Sequence, residues 1–210
     1  LLVSFLRKLG AVCDYYLPNR LTDGYGISKR GISDIRTQNG NIIITVDCGI
    51  TALEEIRYAS KCGIDVIVTD HHETVEELPE AIGILDPKVE DCNYPERNLA
   101  GVGVALKLCQ SLAMAMDRDD SLWLDYLDIT AFGTVADIVP LIGENRTIVK
   151  LGLERLTHTK NLGLQKLIYY QNLTGKTLST SDVGFLLAPC INAAGRLGNS
   201  NRGVEFLLTD

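Results

Sequence analysis

Three short apolar runs in the first ninety residues each stop on an aspartate: IIITV at 42–46 before Asp47, IDVIVT at 64–69 before Asp70, and AIGIL at 81–85 before Asp86. Runs this short, rich in β-branched residues and without polar alternation, read as buried parallel strands. Between the first two, Thr51 stands three residues before Glu54, a capping-box spacing that predicts a helix running to about Cys62 and stopped by Gly63. Strand, helix and strand in that order form a βαβ unit. The three carboxylates then share the carboxyl edge of one sheet, where open α/β sheets bind their ligands. Taken alone, each aspartate also reads as a turn former or a helix cap. The repetition is what points to a site.

Beyond residue 98 the periodicity turns helical, with helices predicted at about 99–116, 121–136, 146–157, 161–171 and 180–188. The expected fold class is α/β, a parallel β-sheet flanked by helices, carrying a helical extension. It divides into an α/β part, residues 1–98, and a helical remainder, residues 99–210, with the join near 86–100. The opening LLVSFLRKLG reaches charge within seven residues and is read as entering inside a helix of a longer protein rather than as a signal peptide. No run approaches the roughly 20 apolar residues of a membrane helix, so no membrane partner is expected. Cys13, Cys48, Cys62, Cys92, Cys109 and Cys190 form no CxxC pair, which predicts reduced core thiols and a cytoplasmic location. A net charge of −7 argues against holding a polyanion by overall charge. Nucleic acid would need metal ions or a local basic groove.

Two of the three histidines are adjacent in VTDHHE, directly after the second strand. Adjacent residues leaving a strand point in different directions, so one imidazole can reach a metal while the other faces a substrate or a second metal position. Asp70 is placed to accept the other ring N–H of a ligating histidine and fix its tautomer. Asp47, in VDCGI, precedes Gly49, which allows a tight turn into the following helix, and its side chain is expected in the same crevice. It serves equally as that helix's cap. Asp137, in FGTVADIVPL, is a lone acid in an apolar segment; burial there would demand a cation, a metal or several donors, and helix capping is the other reading.

The order VDCGI, VTDHHE, LDPK, YPERNLAGVGVALKL, FGTVADIVPLIGENR, INAAGRLG resembles the DHH phosphoesterase superfamily, and within it the RecJ single-stranded-DNA-specific exonuclease branch. The likeness spans nearly the whole chain, and PNRLTDGYG at 18–26 is similar to the same branch. It matches Asp47 to the second superfamily motif, Asp70, His71 and His72 to the third, and Asp137 to the fourth. The aspartate-rich DxDxDG-like first motif does not occur in this sequence. The resemblance therefore implies a truncated core, with two metal ligands and the C-terminal domains of the branch missing, and an inactive fragment.

What the resemblance implies for chemistry is a two-ion phosphodiesterase using Mn²⁺ or Mg²⁺, two per site in an intact parent, which activate water against a terminal phosphodiester. Asp47 would bridge the ions, and His71 and Asp137 would bind one of them. Asp70 would orient His71, while His72 would bond the scissile phosphate or protonate the leaving oxygen. Oxygen donors with one imidazole suit these ions better than structural zinc. Arg196 and Asn192 in INAAGRLG, and Arg20 in PNRLTDGYG, are the candidates for backbone phosphates, since a guanidinium fork matches a phosphate. Gly101 and Gly103 would let a helix start approach a phosphate or simply pack tightly. The implied partners are single-stranded DNA, a single-strand-binding protein and a helicase, in DNA repair and recombination with 5′-to-3′ polarity. Two other readings stand beside this one: a non-catalytic RecJ-like scaffold of a replication or repair complex, and a DHH-family phosphatase of short oligonucleotides.

Overall fold

The structure, a computed structural model, describes residues 1–18, 24–196 and 201–209, with the side chains of 194–196 left aside. In chain order its elements are α1 (Leu2–Lys8), α2 (Lys29–Thr37), β1 (Ile42–Val46), α3 (Leu53–Lys61), β2 (Asp65–Thr69), β3 (Gly83–Leu85), α4 (Gly101–Ala115), α5 (Ser121–Leu124), α6 (Leu127–Ala136), α7 (Gly143–Thr157), α8 (Leu162–Tyr170), α9 (Thr180–Asp182), a π-helical turn (Val183–Leu187), α10 (Ala188–Arg196) and α11 (Asn201–Leu208). They form two compact units, Tyr15–Leu108 and Leu1–Asp14 with Cys109–Asp210. The division falls inside α4 and assigns the N-terminal helix to the helical unit, whereas the sequence placed the join at residues 98 and 99.

The first unit holds a parallel three-stranded sheet in the order β1-β2-β3. Register runs from Ile42 opposite Asp65 to Val46 opposite Thr69, and from Ile67 opposite Gly83 to Thr69 opposite Leu85. The predicted strands are therefore present, the third shorter than expected. Val66 and Val68 of β2 point into a core completed by Ile32 of α2, Ile56 and Ala59 of α3, and Ile64. Burying each such aliphatic side chain contributes about 1.5 to 3 kcal/mol. Ser28 caps α2 by accepting the Gly31 N–H. The capping box predicted for α3 does not form: its N-cap is Ala52, without a side-chain bond, because the helix starts one residue later than the Thr51 spacing requires. Backbone pairing continues past the strands, Asp47 N–H donating to the Thr69 carbonyl and Asp70 N–H to that of Leu85, both at 3.0 Å. That brings Asp47, Asp70 and Asp86 to one sheet edge.

The second unit is helical. Phe132, Leu156, Leu164, Leu167, Val183 and Leu187 lie in its main core. The helix expected over 121–136 is two helices, because Tyr126 takes a bridging conformation (φ −97°, ψ 8°) and sets its ring edge-on to Phe5 at 6.0 Å. The helix expected to stop at 188, before Pro189, continues to Arg196. Proline in a helix lacks the N–H and collides with the carbonyl four residues back, here that of Phe185. The π-helical turn Val183–Leu187 widens the helix at that place and lets the chain pass. All six cysteines are free. Among the described residues no helix is long and apolar enough to cross a membrane.

Candidate metal centre

Asp47 leaves β1 in the left-handed region, φ +62°, and Gly49 follows at φ +113°. For a non-glycine residue that conformation costs roughly 1 to 2 kcal/mol, so it persists only where surroundings enforce it. Two backbone hydrogen bonds hold it: the Asp47 N–H donates to the Thr69 carbonyl, and the Asp47 carbonyl accepts the Tyr25 hydroxyl at 2.7 Å. Its carboxylate lies against Gly101 at the start of α4. A Cβ on residue 101 would stand 2.5 Å from Asp47 Oδ1. The glycine makes room for this carboxylate, a role the sequence had assigned to phosphate approach or packing.

The DHH triplet begins where β2 ends. Asp70 is buried, 1% exposed, and its carboxylate is saturated: Oδ2 accepts the Ile50 N–H at 3.0 Å, and Oδ1 accepts the N–H groups of His71 at 2.8 Å and His72 at 3.3 Å. Oδ1 also meets His72 Nδ1 at 2.6 Å. The ring that Asp70 holds is thus that of His72, where the sequence expected His71. With Nδ1 bonded to the carboxylate, Nε2 is the His72 nitrogen left for a ligand or a phosphate.

His71 is buried, and its Nε2 stands 2.9 Å from Asp47 Oδ1. Oδ1 is sealed from solvent and accepts no hydrogen bond, so the contact lies off the hydrogen-bonding direction. A buried carboxylate oxygen without a donor is costly. Two donors each about 2.1 Å from one octahedral ion, at right angles, stand about 3 Å apart, which is the spacing found. Asp47, His71 and His72 offer ligand atoms all within 4.8 Å of one another. The donor set and the orphaned oxygen both fit a divalent cation. Burial first, then the charges of Asp70 and Asp47, push the thiol of the neighbouring Cys48 up to about 11.

Asp86, at the end of β3, is 4% exposed. Its Oδ1 accepts the Lys88 N–H at 2.9 Å, while Oδ2 is buried without a partner. Burial raises its carboxyl above the usual range, the Asp70 charge adds to that, and His71 and Lys88 partly oppose it. The sheet edge therefore concentrates more negative charge than its own donors satisfy. Beside it opens a cleft of about 660 Å³, lined among others by Tyr25, Lys29, Thr51, Asp70 and His72. Tyr25 is the residue that sequence reasoning missed; an aromatic between two glycines, Gly24 and Gly26, was the available signal.

Two of the remaining expected residues lie in the helical unit, and the others fall wholly or in part outside the described residues. Asp137 lies in the helical unit as the exposed C-cap of α6, followed by Ile138 at φ +62°. An acid at the negative end of a helix dipole is unfavourable unless a cation compensates it. Asn192 is exposed on α10 of the same unit. Arg196 ends that helix and its side chain is outside the described residues, as is the whole of Arg20.

Against this geometry, the family described as "DHH family, N-terminal domain" matches residues 1–134. The single-stranded-DNA-specific exonuclease RecJ of Bacillus subtilis (strain 168) is 43% identical over 208 residues, covering 98% of this chain and 25% of its own length. The Escherichia coli (strain K12) protein of that description is 40% identical over 221 residues, covering 99% and 38%. Among solved structures, an exonuclease RecJ bound to manganese superposes with a TM-score of 0.89 at 36% identity, over 99% of this chain and 52% of the other. RecJ from Thermus thermophilus in complex with Mn²⁺ gives 0.84 at 34% identity, over 100% and 29%. The chain spans a quarter to about two-fifths of the length of these curated relatives.

Proposed function

The chain belongs to the DHH family, and from that premise we propose that it forms part of the catalytic core of a metal-dependent single-stranded-DNA 5′-to-3′ exonuclease. The observation that carries the reading is the sealed, unsatisfied Oδ1 of Asp47 at 2.9 Å from His71 Nε2. Asp47 and His71 would hold Mn²⁺ or Mg²⁺; the reading of Asp137 as a ligand rests on its place in the FGTVADIVPL motif. When bound, such ions offset the charge of a phosphodiester and make water a better nucleophile. The chain's own groups do the rest. Asp70 fixes the tautomer and direction of His72, whose Nε2 hydrogen-bonds the scissile phosphate or protonates the leaving oxygen. Arg20, Asn192 and Arg196 contact backbone phosphates of the strand. Its setting is cytoplasmic, in DNA repair and recombination, with a single-strand-binding protein and a helicase as partners.

Manganese titration of the 210-residue chain, followed by electron paramagnetic resonance, tests the metal site. Wild type is expected to bind Mn²⁺, and D47N and H71A to bind it at least a hundredfold more weakly; equal affinity in either variant overturns the assignment. The 210-residue chain alone is expected to leave strands uncut. In a full-length polypeptide carrying this segment, the same substitutions should abolish Mn²⁺-dependent release of mononucleotides from 5′-phosphorylated single strands. A preference for dinucleotides would identify a phosphatase instead, and strand binding without cleavage a scaffold.

A further inference from the structure

Tyr25 touches both of the loops that carry the metal centre. Its hydroxyl donates to the main-chain carbonyl of Asp47 at 2.7 Å, and its ring stands edge-on to that of His72, centroids 6.3 Å apart and planes at 87°. Tyr25 is 67% exposed, so burial of apolar surface does not account for its position. It stands in the wall of the cleft beside the acids. The main-chain oxygen it holds belongs to the strained residue, Asp47 at φ +62°.

We propose that Tyr25 is a positioning residue of the metal site: it clasps the end of β1 to the DHH loop, fixing the backbone of Asp47 and the ring of His72 at once. This inference rests on the reading of Asp47 and His71 as metal ligands. The reasoning is geometric. A left-handed aspartate relaxes unless its neighbours over-determine it. Relaxation at φ swings the Cα–Cβ bond, and with it the carboxylate that must stay near His71 Nε2. Of the contacts that hold Asp47, the Thr69 bond continues the strand ladder and Gly101 only provides space. The Tyr25 hydroxyl bonds the carbonyl directly. Groups that orient metal ligands in this way typically change metal affinity by about ten- to a hundredfold when removed.

Y25F deletes the hydroxyl and keeps the ring, and Y25A deletes both. Three readings are taken on the 210-residue chain: the Asp47 carbonyl ¹³C resonance and its φ-dependent coupling without metal, the Mn²⁺ affinity, and the melting temperature. Y25F is expected to move the Asp47 resonances and weaken Mn²⁺ about tenfold, with melting within a degree or two of wild type. Y25A should in addition shift the His72 ring resonances. Unmoved Asp47 resonances in Y25F, or an Mn²⁺ affinity within twofold of wild type, overturn the proposal. A loss of affinity matched by a large fall in melting temperature also overturns it, because general destabilisation would then explain both. Wild type that binds no Mn²⁺ at all removes the metal reading instead, an outcome distinct from a Y25F variant that binds as wild type does.

Discussion

In the helical unit Asp128 is buried, and both of its oxygens are used: Oδ1 accepts the Ile129 N–H at 2.7 Å and Oδ2 the Thr159 hydroxyl at 2.5 Å. In the sheet unit Asp70 is satisfied in the same manner, yet on either side of it Asp47 Oδ1 and Asp86 Oδ2 are sealed from water and accept nothing. Each such oxygen costs on the order of 1 to 3 kcal/mol against a bonded one. A buried polar atom without a hydrogen bond also occurs in the helical unit, at the Tyr126 hydroxyl, so it does not by itself mark a site. What sets the sheet edge apart is that two carboxylate oxygens in that state lie at neighbouring strand ends, beside the DHH histidines. The contrast thus separates a carboxylate that holds the fold together from carboxylates that the fold holds ready.

Two helical glycines express the same contrast and can be used to break it. Gly152 of α7 faces α6 so closely that a Cβ would collide with the Leu127 carbonyl oxygen and the Ala131 Cβ, backbone-anchored atoms that cannot swing away. G152A is expected to destabilise the chain by about 2 to 3 kcal/mol through overpacking. In a chain of this size that lowers the melting temperature by roughly 4 to 12 °C, with Mn²⁺ affinity unchanged. A thermal melt at wild-type temperature would show that the helical unit does not depend on this close approach.

Gly101 should respond less in stability and more in metal affinity. Alanine is the better helix former by up to about 1 kcal/mol, but its Cβ would also stand 2.9 Å from the Asp47 Cβ, which cannot swing away, so G101A is expected to lower melting by less than G152A does. Its Cβ would displace the Asp47 carboxylate, and Mn²⁺ affinity should fall about tenfold, roughly 1.4 kcal/mol. Calorimetric titration beside a melt reads both. A stability loss with intact metal binding would make Gly101 a packing residue like Gly152 and erase the distinction between the two regions.

The sheet was legible because its signals are local: β-branched runs, each closed by an aspartate, dictate strands and their common edge without reference to anything distant. The site was legible as residue types, Asp47 and the DHH triplet, but not as contacts. Nothing in sequence tells which histidine Asp70 will hold, since both neighbours are within reach and the choice depends on the turn after β2. Tyr25 was missed because its role is a hydrogen bond to a main-chain oxygen twenty-two positions away. Helix ends were read less well where two rules compete. Pro189 signals a stop, and a π-helical turn overrides it; Thr51 fits a capping box, and the helix begins one residue too late to use it.

The mildest test of the contrast concerns the capping box at α9. Ser179 Oγ accepts the Asp182 N–H at 3.3 Å, while the Ser179 N–H and hydroxyl donate to Asp182 Oδ2 at 2.8 and 2.6 Å. The Ser179 hydroxyl, then its N–H, holds the Asp182 carboxyl below the usual carboxylate range. A folded-state pKa lower than the unfolded one gives stability that is present above the unfolded value, near 4, and is lost as pH falls through the folded one. Asp182 is partly exposed, so screening keeps the effect small. D182N is expected to cost about 0.5 to 1 kcal/mol at pH 7, a few degrees of melting temperature, and to leave Mn²⁺ affinity alone. Once the pH lies below the lowered folded-state value the wild-type carboxyl is itself protonated, and the two proteins should melt together. A gap that persists unchanged in acid would mean that the bond, not the charge, stabilises this helix start, and that the carboxylates of the helical unit owe little to ionisation.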